Sequence, residues 1–113
     1  MKIIKVNSAE GFKNPHGVSA KKIYDTEHAQ AMHIMLQPGE SLKKHSTPVD
    51  VFFYILEGNG IVEIGDEKKE VSKDSLIESP AKIPHCLYNK SKDIFRVLVV
   101  KVPRPNSKTI ILN

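Results

Sequence analysis

Short runs of apolar residues alternate with turn-forming residues along most of this sequence. The most continuous run, VFFYIL at residues 51–56, is β-branched or aromatic at most positions and predicts a strand covered on both faces. The run FRVLVVKV at residues 95–102 predicts a second long strand. Shorter runs predict strands at residues 18–24, 28–36, 61–64, 68–71, 76–77 and 86–88. The Gly, Pro, Asn and Asp residues between these runs are typical of turns.

The run HAQAMHIML at residues 28–36 is ambiguous, because its alanines and methionines favour a helix as much as a strand. It has only nine residues and is followed by the turn pair Pro38-Gly39, so we predict a strand. Residues 61–64 and 68–71 flank Gly65 in a short loop and predict a hairpin. No helical period is sustained for three turns, so the sequence predicts an all-β domain, either a sandwich or a small barrel.

The two ends of the chain carry weaker patterns. IIKV at residues 3–6 is compatible with a short strand, whereas the turn residues between positions 8 and 17 predict an arm. We expect the arm to pair with a sheet edge of its own subunit or a partner, because unpaired edges invite association. KTIILN at residues 108–113 is compatible with a last edge strand. We therefore predict one domain over residues 1–113, with an arm at 1–17, a barrel core at about 18–103 and a tail or edge strand at 104–113.

Composition and charge exclude several classes of function. The chain has 113 residues and a mass of 12.7 kDa, which allows one hydrophobic core. Its net charge of +4 comes from lysines scattered in pairs among acids, with no recognisable nucleic-acid module, so we expect no nucleic-acid partner. No apolar segment approaches the ~20 residues that span a bilayer, and no secretory signal is present, so we expect no membrane association and a cytoplasmic location. The single Cys86 fits a reducing compartment.

Two stretches share a pattern of turn residues, one histidine and an apolar strand. The first covers residues 38–60 and contains His45, and the second covers residues 79–89 and contains His85. Each half of the chain thus supplies one imidazole near the edge of a predicted strand. These two histidines are the principal candidates for a functional site.

The two stretches resemble the two motifs of the cupin family, whose members are small jelly-roll β-barrels. The first family motif is PG(x)5HxH(x)3,4E(x)6G, and the matching residues here are Pro38, Gly39, His45 and Gly58. Thr47 occupies the position of the second histidine, and Val51 occupies that of the glutamate. The second family motif is G(x)5PxG(x)2H(x)3N, and the residues that fit it are Asp74, Pro80, Pro84, His85 and Asn89, with Lys82 in place of the middle glycine. The resemblance covers roughly residues 30–102 and implies a single-domain cupin-type barrel.

The resemblance also implies a metal. In family members with all four ligands, three histidines and a carboxylate bind a divalent ion such as iron, manganese, nickel or zinc inside the barrel. Since residues i and i+2 of a strand share a face, we expect His45 and Thr47 to point inward, with His85 opposite them. Two imidazoles are fewer than the three protein ligands that catalytic metal sites usually have.

Asp50 is our first candidate for a third ligand. A bulge at residues 47–49 would turn its carboxylate inward and give the two-histidine, one-carboxylate set of non-haem iron oxygenases. Strict alternation opposes this, since Asp50 and the inward Val51 should point opposite ways, and the alternative is a turn carboxylate that caps backbone amides. His33 and His28, on the strand before the first motif, are more distant candidates. Because an odd number of positions separates them, only one of the two can point to the interior face of a regular strand.

Three functional hypotheses follow. The first is a metal-dependent oxygenase or isomerase that binds a small organic molecule in the barrel cavity, with the candidate cavity residues Thr47, Val51, Phe53 and His33. The second is a metal-free binding module in which His45 and His85 donate hydrogen bonds to a sugar or small metabolite. The third is a structural or regulatory dimer without cavity chemistry. In all three, the resemblance and the N-terminal arm predict a homodimer.

Overall fold

Two five-stranded antiparallel sheets make up the part of the protein that the structure describes. The computed structural model describes residues 1–106 and 110–112. The strands are β1 Ser19–Asp25, β2 Gln30–Leu36, β3 His45–Ser46, β4 Asp50–Glu57, β5 Asn59–Ile64, β6 Glu67–Ser72, β7 Leu76–Ser79, β8 His85–Tyr88, β9 Phe95–Val102 and β10 Ile110–Ile111. Sheet 1 has the order β1-β2-β9-β4-β7, and sheet 2 has the order β10-β3-β8-β5-β6. This is the predicted all-β class, and the part of the chain that the structure describes contains no helix able to cross a membrane.

Strict alternation along β4 places one face of sheet 1 in the core. Val51, Phe53 and Ile55 are buried, whereas Phe52 and Leu56 on the opposite face are only half-buried. The prediction of a strand covered on both faces is therefore wrong. Within one chain, the inner face of β4 is covered and its outer face is only partly covered. β9 follows the same rule, with its odd-numbered residues turned inward.

The core lies between the two sheets. Its buried apolar residues are Ala20, Ile34, Leu36, Leu42, Val51, Phe53, Ile55, Val62, Leu87, Phe95, Val97 and Val99. Gly60 on β5 faces the ring of Phe95 so closely that a Cβ atom at this position would overlap the ring. The two sheets can approach here only because residue 60 has no side chain.

The N-terminal arm lies along β1 of its own chain. The backbone N–H of Phe12 donates to the carbonyl of Ala20 at 3.2 Å, and the Lys21 ammonium donates to the Val6 carbonyl at 2.9 Å. The short strand considered at residues 3–6 is absent: a 3₁₀ helix covers Val6–Ser8, and the residues before it have no strand partner within the described ranges. The expected pairing with a sheet edge is therefore made further along the arm.

The last strand pairs with the strand that carries His45. Ile110 is opposite Ser46 and Ile111 is opposite His45 in the β10–β3 register. An edge strand was considered at residues 108–113. Its residues Ile110 and Ile111 form β10, whereas residues 108, 109 and 113 lie outside the described residues. The ambiguous run at 28–36 is a strand from Gln30 onward, and its first histidine, His28, lies in the preceding turn.

Candidate functional site

A cavity of about 150 Å³ lies between the inner faces of the two sheets. The described residues that line it are Phe12, Asn14, Pro15, His16, Ala20, Met32, Ile34, Leu42, His45, Thr47, Val51, Phe53, His85, Val99 and Lys101. Most of them are apolar, and the polar groups among them are three imidazoles, a hydroxyl, an amide and an ammonium group. A concave, largely apolar space with a few convergent polar groups is the usual form of a small-molecule site.

His45 and His85 face each other inside this cavity. They are direct partners in the β3–β8 register, so their side chains lie on the same face of sheet 2. Their Nε2 atoms are 3.1 Å apart, and the ring planes are nearly perpendicular at 83°. Both side chains are buried. The structure thus brings together the two histidines that the motif spacing singled out, across 40 residues of sequence.

The hydrogen bonds around the pair assign its protons. The Lys43 carbonyl lies 2.6 Å from His45 Nδ1 and can only accept, so this nitrogen carries hydrogen and Nε2 of the neutral ring holds a lone pair. His85 must then donate from Nε2 to His45. Its Nδ1 accepts from the Ser79 hydroxyl at 2.6 Å. The pair therefore presents one acceptor and one donor nitrogen side by side.

Burial keeps both rings neutral near pH 7. It is the largest cause that lowers the pKa of His85 to about 3, and the positive charges of His45, Lys101 and His16 lower it further. Burial also lowers the pKa of His45, against the opposing effect of its hydrogen bond to the Lys43 carbonyl. Among residues 1–106 and 110–112, no carboxylate pairs with either ring to stabilise an imidazolium ion.

A third imidazole, that of His16, was missed by the sequence analysis. The Asn14 carboxamide oxygen accepts from the His16 backbone N–H at 3.1 Å and shapes the turn of the arm. His16 Nδ1 in turn accepts from the Lys43 backbone N–H at 2.8 Å, and its ring lies 4.7 Å from that of His45. Burial and the nearby charge of His45 lower the pKa of His16 to about 4. Its position in an arm rich in turn residues gave no sequence signal for this contact.

Lys101 is the second missed residue. It is the last inward position of β9, after Phe95, Val97 and Val99, and it lines the cavity. Its charge contributes to lowering the pKa of all three cavity histidines. Burial lowers the pKa of Lys101 itself. The alternation of the run at residues 95–102 already contained this information, because position 101 has the parity of the core residues.

The remaining cavity predictions divide into two groups. Thr47, Val51 and Phe53 line the cavity as expected, and the Phe53 ring contacts the edge of His85 with ring centres 5.2 Å apart. His33 does not reach the cavity: it lies on the outer face of sheet 1, since its neighbours Met32 and Ile34 point inward. There His33 Nε2 accepts from Arg96 Nε at 3.0 Å, and burial lowers its pKa.

Asp50 is not brought to the imidazoles. It is exposed, and its Oδ1 accepts from the backbone N–H of Ala81 at 2.8 Å, which caps the turn before β8. The strand keeps strict alternation here, so Val51 points inward and Asp50 outward, which corrects the bulge hypothesis. His28, the other candidate, has an 81% exposed side chain beside Glu27 and also lies away from the cavity.

Comparison with known proteins agrees with this architecture. Residues 32–101 match the family model described as a cupin domain, which is more than half of the chain. This chain belongs to the cupin family. It is also 30% identical over 86 residues to an uncharacterised protein of Methanocaldococcus jannaschii, MJ0764, covering 75% of this chain and 74% of that protein.

Several solved structures superimpose on most of the chain. The structure of MJ0764, an RmlC-like cupin with a double-stranded β-helix fold, matches with a TM-score of 0.73 and 27% identity, over 91% of this chain and 94% of that one. TT1209 from Thermus thermophilus matches with a TM-score of 0.79 and 28% identity, over 93% and 100%. The polyketide cyclase RemF from Streptomyces resistomycificus shares the fold, with a TM-score of 0.85 and 19% identity over 100% of this chain and 86% of that one.

The donor set of this cupin is a poor fit to a resident divalent metal. The 3.1 Å between the two Nε2 atoms suits two imidazoles bound to one ion at about 2.1 Å each. A hydroxyl and an alkyl group, from Thr47 and Val51, stand at the other two family ligand positions. Within residues 1–106 and 110–112, no three His, Cys, Asp or Glu side chains are grouped to hold a metal ion. Lys101 further opposes a cation in this cavity.

Proposed function

We propose that this cupin binds a small organic molecule in its cavity and transfers a proton on it through the His45–His85 pair. The observation that carries the proposal is the 3.1 Å contact between the two Nε2 atoms inside a largely apolar cavity. One nitrogen offers a lone pair and the other offers a hydrogen atom. A base and a hydrogen-bond donor thus lie within reach of the same ligand.

The pair suits isomerisation of a carbonyl compound. A ligand lying against both rings replaces the hydrogen bond between them with two contacts of its own. His45 Nε2 takes a proton from the carbon next to the carbonyl group, and the C–H electron pair forms the double bond of an enolate. The His85 Nε2–H donates to the enolate oxygen and stabilises its charge. The His45 imidazolium then returns the proton to a neighbouring atom, so the step needs no oxidant or reductant.

The surroundings hold the two rings ready for this role. The Lys43 carbonyl fixes the orientation and tautomer of His45, and the Ser79 hydroxyl does the same for His85. The low polarity of the lining strengthens the hydrogen bond from His85 to a developing negative charge.

The size of the cavity limits the ligand. An apolar protein cavity of about 150 Å³ accommodates a molecule the size of benzene, and the cavity here has about the same volume. A ligand of this size enters with the imidazoles on one side and apolar side chains on the other. The occurrence of the same fold in the polyketide cyclase RemF supports small-molecule chemistry as a use of this barrel.

Hydrogen exchange at carbon tests the proposal. Cyclopentanone and 2-oxobutyrate are incubated with the protein in deuterium oxide, and proton NMR follows loss of the signals next to the carbonyl group. We expect the wild-type protein to accelerate exchange over buffer containing free imidazole. The His45→Gln variant should lose at least about a hundredfold of this acceleration, whereas the exposed-site control His28→Gln should retain it. Equal rates for wild type and His45→Gln would refute the role of the pair.

A further inference from the structure

The charge of the cavity points to the class of ligand that it takes. In the β4–β9 register, Lys101 is the direct partner of Val51. Both residues line the cavity, so their side chains lie on the same face of sheet 1. Val51 occupies the position at which the cupin motif has a glutamate. An alkyl group thus replaces a negative charge here, and the neighbouring strand presents a positive one.

None of the described residues that line the cavity is acidic. Among these described residues Lys101 supplies the one ammonium group, and burial holds the rings of His16, His45 and His85 in their neutral forms near pH 7. Lys101 lines the same cavity as His16, His45 and His85, and its charge contributes to lowering the pKa of each of these rings. A positive charge in a largely apolar cavity attracts an anion more strongly than the same charge in water.

We propose that the ligand of this cavity is a small carboxylic acid in its ionised form, and that Lys101 binds its carboxylate group beside the imidazole pair. This inference rests on the proposed function and adds the substrate class to it. A carboxylate suits the site because it is planar, small and a strong hydrogen-bond acceptor. The apolar remainder of the ligand then packs against Met32, Ile34 and Val99.

The anchoring charge also has a use in the proton transfer. The enolate formed from such an acid carries a second negative charge, and a positive group close to the reacting atoms stabilises it. Lys101 lies on sheet 1 and the imidazoles lie on sheet 2, so the ligand bridges the two sheets. Its orientation is thereby fixed at both ends.

Binding of a matched acid and amide tests the inference. Isovalerate and isovaleramide have nearly the same shape and differ in charge, and calorimetry at pH 7.5 measures the affinity of each. We expect the wild-type protein to bind isovalerate at least about tenfold more tightly, the value of one hydrogen bond between charged groups. Equal affinities for the two ligands would overturn the assignment.

Three variants locate the source of the preference. Lys101→Met removes the charge with little change of volume and should abolish the preference. Lys101→Arg keeps the charge and should retain it, which also covers the case in which the methionine variant does not fold. Lys69→Met makes the same change of net charge at an exposed ion pair with Glu67 on β6 and should behave as wild type. A preference that persists in Lys101→Met would overturn the role of Lys101.

The outcomes separate this inference from the proposed function. If the acid and the amide bind equally and His45-dependent exchange is observed on cyclopentanone, the cavity acts on neutral molecules and only the carboxylate assignment falls. If neither compound binds and no exchange occurs, both proposals are refuted together.

Discussion

The hydroxyl of Ser79, at the end of β7 in sheet 1, donates a 2.6 Å hydrogen bond to Nδ1 of His85, at the start of β8 in sheet 2. Each residue is only 1% exposed. This bond places the hydrogen of His85 on Nε2, where it faces His45. A serine outside the cavity lining therefore controls which nitrogen of His85 carries the hydrogen.

We expect Ser79→Ala to weaken both folding and proton transfer. The variant leaves the buried Nδ1 of His85 without a donor, which lowers the free energy of unfolding by about 1–3 kcal/mol. The ring also loses its bias toward hydrogen on Nε2, so carbon exchange should slow by about tenfold. Urea denaturation and nitrogen NMR of the imidazoles measure the two effects. The exposed β1 serine variant Ser19→Ala is the control, and an unchanged tautomer in Ser79→Ala would contradict the assignment.

The cavity histidines predict a loss of stability in mild acid. Their pKa values fall from 6.5 to about 4 for His16 and about 3 for His85, so the unfolded chain binds more protons than the folded one as pH decreases through 6.5. The contribution of these histidines to the free energy of unfolding is therefore fully present above pH 6.5 and is lost as the pH falls below that value. The contribution of a buried histidine such as His85 is up to about 1.4 kcal/mol per pH unit.

Urea midpoints between pH 7.5 and about 5.5 measure this dependence above the range in which most carboxylates titrate. We expect His16→Gln to flatten the profile, because the variant lacks one of the groups that take up a proton on unfolding. His28→Gln removes an exposed histidine and should leave the slope unchanged. A His16→Gln profile parallel to that of the wild type would show that His16 is not held neutral by the fold.

Much of the fold could be predicted because its signals are local. The apolar runs, the turn residues between them and the alternation in residues 51–56 and 95–102 depend only on neighbours in sequence. β3 was not predicted as a strand because it has only two residues, His45–Ser46. The half-exposed outer face of β4 was also missed, since an apolar run does not show which of its faces is covered.

The site could be predicted only in part for the same reason. His45 and His85 stand at motif positions, so their spacing in the sequence carried the information. His16 enters the cavity through a contact between its ring and the Lys43 backbone, 27 residues away, and no pattern in the arm signals it. For Asp50 and Lys101, in contrast, the sequence was informative. Alternation along β4 and β9 already indicated that Asp50 points outward and Lys101 inward.

The expected divalent metal stays a prediction from the resemblance, and elemental analysis of untagged protein tests it. From the donor set we expect metal well below one ion per chain, unrecovered after reconstitution with iron, manganese, nickel or zinc, because two imidazoles are one ligand short. His45→Ala serves as the control for adventitious binding. One ion per wild-type chain, lost in His45→Ala, would contradict our preference for metal-free proton transfer.

The homodimer is also a prediction, and the outer face of sheet 1 is where we expect the second copy to bind. Phe52, Leu98 and Val100 are half-buried there and form an apolar surface at the centre of the sheet. The charged pair Arg96–Glu57 on this face lies at the start of β9, whereas the outer face of sheet 2 carries Glu63 with its ion-pair partners Lys44 and Lys68. Phe52 is the direct register partner of Val100, and neighbouring apolar side chains on the outer face of a sheet are typical of an association surface.

Light scattering at micromolar concentration should give twice the 12.7 kDa mass of the chain. Leu98→Asp places an unpaired charge on the proposed contact face and should shift the mass toward that of the single chain. Ile61→Asp makes the same change on the outer face of sheet 2 and should leave the dimer intact. A wild-type mass of one chain would reject the dimer, and a monomer produced by Ile61→Asp but not by Leu98→Asp would place the contact on the other sheet.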